Sequence, residues 1–319
     1  MWKKFIFLYS LFFVSEVYSQ QYPYWTQFRN NQLLLNPANS GTRKDFDARL
    51  NYRYQWAGFE GAPKTISVSA HGSLFNNILG VGGFVYQDQI GPSKFISVSS
   101  SNAFHLKFED SQLSFGLGLN YSVQRLDPYY MTYFNSQDNI ILNAVANPKA
   151  TNLNGSFGLL YFNDRFHLGF AANNMFGNSY EFKADKDAFK TVMNTVPHYN
   201  ISIGYNWAED SEFIWENNLM MNFISGTPLL IDYNVRLHIR QSVFVGAGWR
   251  LRSALIGQVG YTFNNFAQIA YSYDYSINNL RYFNSGTHEI MLVYTFDKST
   301  NKKPGRNTRF QKQKFGYLL

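Results

Sequence analysis

From Phe46 to Trp56 the chain alternates residue by residue. Phe46, Ala48, Leu50, Tyr52, Tyr54 and Trp56 form one series; Asp47, Arg49, Asn51, Arg53 and Gln55 form the other. Successive side chains of a strand point to opposite faces, so one face is greasy and aromatic and the other charged or amide-bearing. A soluble sandwich strand also alternates, with water on its polar side and a packed core on the other. Two arginines in mid-strand, opposite an aromatic-rich face, fit a barrel wall better, with lipid outside and a wet lumen inside. Gly58-Phe59-Glu60-Gly61-Ala62-Pro63 then breaks the strand in a turn.

The same rhythm recurs. It predicts further strands over 65–71, 79–86, 95–108, 113–123, 156–162, 166–173, 199–207, 213–224, 229–239, 243–251, 255–263, 266–275 and 288–296. The clearest is 113–123, where Leu113, Phe115, Leu117, Leu119, Tyr121 and Val123 alternate with Ser114, Gly116, Gly118, Asn120 and Ser122. With 46–56 the count is about fourteen, an even number, as single-chain bacterial barrels require. The fold class expected is all-β: a transmembrane antiparallel up-and-down barrel with an N-terminal segment that is not a strand. Short connections (72–78, 109–112, 163–165, 208–212, 240–242, 264–265) alternate with mostly longer ones (57–64, 87–94, 124–155, 174–198, 225–228, 252–254, 276–287). Short periplasmic turns and long outer loops are the asymmetry of an outer-membrane barrel, and they put both termini in the periplasm.

Residues 20–45 lack the strand rhythm. Leu33-Leu34-Leu35 predicts one short helical turn ending before Pro37. In a barrel such a segment either enters the lumen as a plug or lies at the periplasmic rim. Ahead of it, residues 1–19 read as a signal peptide. Lys3-Lys4 precede an apolar run from Phe5 to Val14, and Val17-Tyr18-Ser19 offers a cleavage site.

Composition agrees with a membrane barrel. Charged residues are 15% of the chain, against about 25% in an average soluble domain, while aromatics reach 18%. Mean hydropathy is only −0.29, because luminal polar residues dilute it. No apolar run of about 18 residues is present for a spanning helix. The absence of cysteine excludes disulfides, Cys lipidation and thiolate metal sites. A net charge of +7 raises the question of nucleic acid. The excess lies in Lys3-Lys4 and in the basic tail, residues 297–319, and export makes nucleic acid an unsuitable partner.

Candidate chemistry is sparse. No His pair sits at metal-ligand spacing and no Gly-x-Ser-x-Gly elbow occurs, so His71, His105, His167, His198, His238 and His288 read as luminal or girdle residues. No catalytic residue, cofactor or metal is expected, and the protein reads as no enzyme. Charges in hydrocarbon cost about 2–4 kcal/mol at mid-depth, so Asp47, Arg49, Arg53, Glu216, Asp232, Arg236, Arg250 and Glu289 should face the lumen. Neither sign dominates, which favours a solvated wall; the alternative is a salt-bridged network that holds a plug or lines a passage. The outer connections around Asp127-Pro128-Tyr129-Tyr130 and Asp185-Lys186-Asp187 are the natural surface for a protein partner. The tail could meet peptidoglycan, anionic lipid or an acidic periplasmic protein.

Several stretches match a known family. Asn36-Pro37-Ala38-Asn39-Ser40-Gly41 resembles its N-P-A-x-x-G segment. Arg53, Gln55, Trp56, Gly58, Phe59, Gly61 and Pro63 fall in a Y-R-x-Q-W-x-G-F-x-G-A-P-x-T signature. Asp88, Gly91 and Pro92 continue it in order. The chain resembles the PorP/SprF outer-membrane proteins of type IX secretion and gliding motility in Bacteroidetes, most densely over residues 20–125. The resemblance implies an outer-membrane barrel that supports export or surface attachment of an adhesin or sorting-domain cargo. Its implied partners are secretion components, outer-membrane lipid and a peptidoglycan-associated periplasmic protein. A channel for small or hydrophobic solutes is the alternative.

Overall fold

The computed structural model describes residues 23–43, 45–127, 149–182, 191–208, 212–240, 242–263 and 266–296. The expected signal peptide, the basic tail, Pro128-Tyr129-Tyr130 and Asp185-Lys186-Asp187 lie outside the described residues.

Fourteen antiparallel strands close into one barrel. In chain order they are β1 (Phe46–Tyr54), β2 (Lys64–Leu74), β3 (Leu79–Ile90), β4 (Ser93–Lys107), β5 (Ser111–Leu126), β6 (Lys149–Asn163) and β7 (Phe166–Asn173). A small separate hairpin follows, β8 (Ser179–Phe182) with β9 (Thr191–Asn194). The wall resumes with β10 (His198–Ala208), β11 (Phe213–Ile224), β12 (Leu230–Ile239), β13 (Val243–Arg250), β14 (Ala254–Phe263), β15 (Ala267–Ser276) and β16 (Thr287–Phe296). Each wall strand pairs with its neighbours in sequence, and β1 pairs with β16 from Phe46↔Phe296 to Tyr54↔His288. Closure leaves no sheet edge for lipid to meet, which a spanning sheet requires because hydrocarbon offers backbone groups no partners.

The two faces are sorted as the alternation demands. On β1 the odd-numbered Asp47, Arg49, Asn51 and Arg53 are buried inside, while Phe46, Leu50 and Tyr52 are exposed outside. The exposed aromatics gather at the two rims. Tyr205, Trp207, Trp215 and Phe296 mark one, and Tyr121, Tyr199, Phe223 and Trp249 the other, with aliphatics such as Leu117 and Ile290 between. Such girdles sit where an amphipathic ring meets both headgroups and chains.

Three loop expectations change. Residues 87–94 are not a long outer connection: β3 runs on to Ile90 and β4 starts at Ser93, leaving Gly91-Pro92 as a tight turn with Gly91 at φ 52°. Gln87, Asp88 and Gln89 are polar on both faces, which conceals the strand's period. For the same reason β5 reaches Leu126 and β6 starts at Lys149, both further out than the pattern predicts. At the other rim every connection is four residues or fewer, and this rim also carries Phe46 and Phe296. β1 ends two residues before Trp56, whose φ of 53° already belongs to the turn.

Candidate functional site: the filled lumen

Residues 23–43 run through the inside of the barrel. Three short 3-10 turns, Phe28–Asn30, Gln32–Leu34 and Pro37–Asn39, fold the segment. The last is shaped by its own sequence. Asn36 caps it, its Oδ1 accepting from the Ala38 N–H at 2.9 Å, and Pro37 stands at the first position, where a missing N–H costs nothing.

One end of the segment is held by packing. A methyl group added at Gly80 would fall 1.8 Å from the Ser40 carbonyl oxygen, and one at Gly116 2.1 Å from the Ala38 nitrogen. Only glycine lets the two backbones approach so closely. Gly41, at φ +64°, lies against Gly80 in turn and donates its N–H to His71 Nδ1 at 3.1 Å. The Asn36 amide donates to the Leu159 and Phe170 carbonyls at 3.0 and 3.2 Å, tying the turn to β6 and β7.

The other end is held by charge. All eight predicted luminal charges are at most 6% exposed. Arg53 Nη1 donates to Glu289 at 2.8 Å and to Thr26 Oγ1 at 2.7 Å, and its Nη2 to Asp274 at 3.0 Å. Glu289 also accepts the Thr26 and Gln27 N–H groups at 2.9 and 3.1 Å. Arg250 donates to Asp232 at 2.7 Å, to Asp274 at 3.0 Å and to Thr26 Oγ1 at 3.2 Å. Tyr24 is next to this pair; burial pushes its phenol up to about 12. Across the lumen, Glu216 binds Arg29 of the segment and stands 2.9 Å from His238 and 3.9 Å from Arg236. Arg236 reaches Asn30 Oδ1 at 2.7 Å. Asp47 and Arg49 form a separate group near the β1 start, with Arg43 of the segment 3.3 Å from Asp47.

The solvated wall favoured by the mixed signs is therefore not what forms. The opposite charges pair with one another and with the luminal segment, because buried ions need partners for every lone pair and proton. Several members of the network escape the sequence reading. Asp274 lies in phase with Ser272 and Ser276, against exposed Tyr271 and Tyr275, so the alternation carried its signal. Arg29 and Thr26 lie off any strand, where no period exists to place them.

The family signature divides in two. Asn36, Pro37, Gly41 and Arg53 belong to the lumen, and Asp88 accepts from Thr65 Oγ1 at 2.7 Å there. Gln55, Trp56, Gly58, Phe59, Gly61, Pro63, Gly91 and Pro92 build the outer rim. The Gln55 N–H donates to the Pro63 carbonyl at 2.9 Å, and Gly91 N–H to Gly61 O at 2.9 Å. Gly58 at φ +88° and Gly61 at φ +71° make the turns between.

Above the segment a cavity of about 60 Å³ remains, lined by Tyr24, Trp25, Phe28, Leu34, Phe84 and Met220 among others. Edge-to-face rings at 6.5 Å (Trp25 and Tyr86) and 6.1 Å (Phe95 and Tyr180) connect its wall to hairpin β8–β9. Among the described residues no group of three or more His, Asp or Glu is arranged to hold a metal ion.

The barrel has the fold of known outer-membrane proteins. It is similar to the CymD monoaromatic hydrocarbon channel, with TM-score 0.50 and 11% identity, over 86% of this chain and 94% of that one. The toluene transporter TbuX of Ralstonia pickettii gives TM-score 0.49 and 10% identity, over 83% and 93%. At such identity the likeness is one of fold alone. No curated protein matches the chain. The family model described as "Type IX secretion system membrane protein PorP/SprF" matches residues 17–294. This outer-membrane barrel belongs to the PorP/SprF family of type IX secretion proteins.

Proposed function

We propose that this barrel is a plugged, non-enzymatic platform of type IX secretion that supports export or surface attachment of a cognate adhesin or sorting-domain cargo. The observation that carries it is the fastening of residues 23–43. Five buried arginines (Arg29, Arg49, Arg53, Arg236 and Arg250) and the partly exposed Arg43 pair with five buried carboxylates (Asp47, Glu216, Asp232, Asp274 and Glu289), joining wall and segment, or wall and wall, across the lumen. A lumen spent on holding a plug serves rigidity better than flow. The long outer loops then hold cargo after translocation, and the short-turn rim faces secretion components and a peptidoglycan-associated protein in the periplasm. Deleting the gene should remove a specific set of proteins from the cell surface, read by labelling with a membrane-impermeant reagent. An unchanged surface set would refute the reading.

A second reading, passage of small hydrophobic solutes, is favoured by the apolar cavity above the plug. It requires uptake of such a solute to fall when the gene is deleted, with the surface proteins unchanged.

A further inference from the structure

The signature Trp56–Pro63 lies on the outer rim, outside the plug network. It is bonded to its neighbours on the outer rim. Ala57 N–H donates to Gly286 O at 2.7 Å, Ser285 N–H to Ala57 O at 2.7 Å, and Trp56 N–H to Thr287 Oγ1 at 3.1 Å. Gly91 N–H joins it through Gly61 O, and Ile277 N–H reaches Ser253 O at 2.9 Å. Four outer connections, 55–63, 91–92, 251–253 and 277–286, thus form one hydrogen-bonded body.

That body displays large apolar side chains. Phe59 is 47% exposed, Tyr282 69% and Phe283 67%. Phe59 is two residues from Ala57, and Phe283 is two residues from Ser285, so both flank the same backbone bond. Lipid does not account for them. The nine residues of β1, at about 3.3 Å each and tilted about 40°, climb roughly 23 Å, close to the height of a band about 25 Å tall. Phe59 and the 277–286 connection lie beyond that band. The exposed charges on this body are Arg252 and Arg281 against Glu60, with the exposed Lys64 adjoining it at the start of β2, and the Arg281 guanidinium lies 4.7 Å over the Tyr282 ring.

We infer that Phe59, Tyr282 and Phe283 are the anchors of a docking surface for the exported cargo, whose complementary face carries apolar side chains ringed by carboxylates. Aromatics on a hydrogen-bonded rim, with Arg281 over Tyr282 and cations outnumbering the one carboxylate, match such a face in apolar character and charge. This rests on the platform reading above and assigns that reading its contact surface.

The test uses the full-length protein in its own cells. Phe59→Ser with Tyr282→Ser and Phe283→Ser is compared with wild type and with the gene deletion, at matched amounts of heat-modifiable barrel in the outer membrane. Loss of two or three anchors should lower the surface level of the deletion-sensitive proteins about tenfold or more. Arg281→Glu with Lys64→Glu should lower it less. A photo-crosslinking phenylalanine analogue at position 59 of the otherwise unaltered barrel should join to a protein from that same set. If the deletion removes surface proteins but the triple variant keeps them, or if the crosslink goes to lipid or to a second copy of the barrel, the inference is overturned and the platform stands. If the deletion removes nothing, the platform falls and takes the inference with it.

Discussion

The two halves of the lumen hold the same segment by different physics. The β2–β7 side offers glycine and serine, and residues 36–41 press their backbone directly onto it. The β11–β1 side offers guanidinium and carboxylate groups, and Thr26, Gln27, Arg29 and Asn30 hang from them. Close packing needs the absence of atoms; a charge network needs all of its members. A barrel that had to release its plug easily would have little use for both, since each fastening alone would be a point of control.

The comparison can be broken one side at a time, and the chain's lack of native cysteine makes the readout clean. A single cysteine at Leu34 reports whether the segment stays inside, through its rate of maleimide labelling. Arg53→Ala should have the largest effect. It leaves Glu289 and Asp274 short of a buried partner, and such losses cost about 3–5 kcal/mol; labelling should rise by orders of magnitude. Gly116→Val should follow, at about 1–3 kcal/mol for the forced shift of Ala38, and Gly80→Ala should act in the same direction. Asn36→Ala removes the cap and two wall contacts and should cost about 1–2 kcal/mol. If the two fastenings are independent, Arg53→Ala combined with Gly116→Val should sum to within about 0.5 kcal/mol in thermal or denaturant unfolding in detergent. A larger coupling would mean that the segment moves as one rigid body. At the bottom of the scale, Arg240→Ala should change nothing measurable. Its contact with Glu212 at 3.6 Å joins two well-exposed side chains.

What the sequence made legible follows the same division. The wall strands were readable because lipid and lumen impose opposite demands on neighbouring residues, as at Phe46–Tyr54 and Leu113–Val123. Where both faces carry polar side chains, as at Gln87–Gln89, the alternation fades and the strand ends blur. The charged half of the site was readable one residue at a time, since Arg53, Glu216 and Glu289 cannot face hydrocarbon. Their pairing was not, because register between strands far apart in sequence, such as Arg53↔Glu289 across the closing seam, leaves no local mark. The packed half was silent for another reason. Gly80, Gly116 and Gly158 resemble any other small luminal residue until a second backbone is placed against them.

The most direct test of the plugged platform is single-channel current through the purified wild-type barrel in a planar lipid bilayer. The account expects no stable conductance from wild type and discrete ohmic steps from Arg53→Ala combined with Gly116→Val. Steady steps in wild type, unaltered by the double substitution, would contradict it.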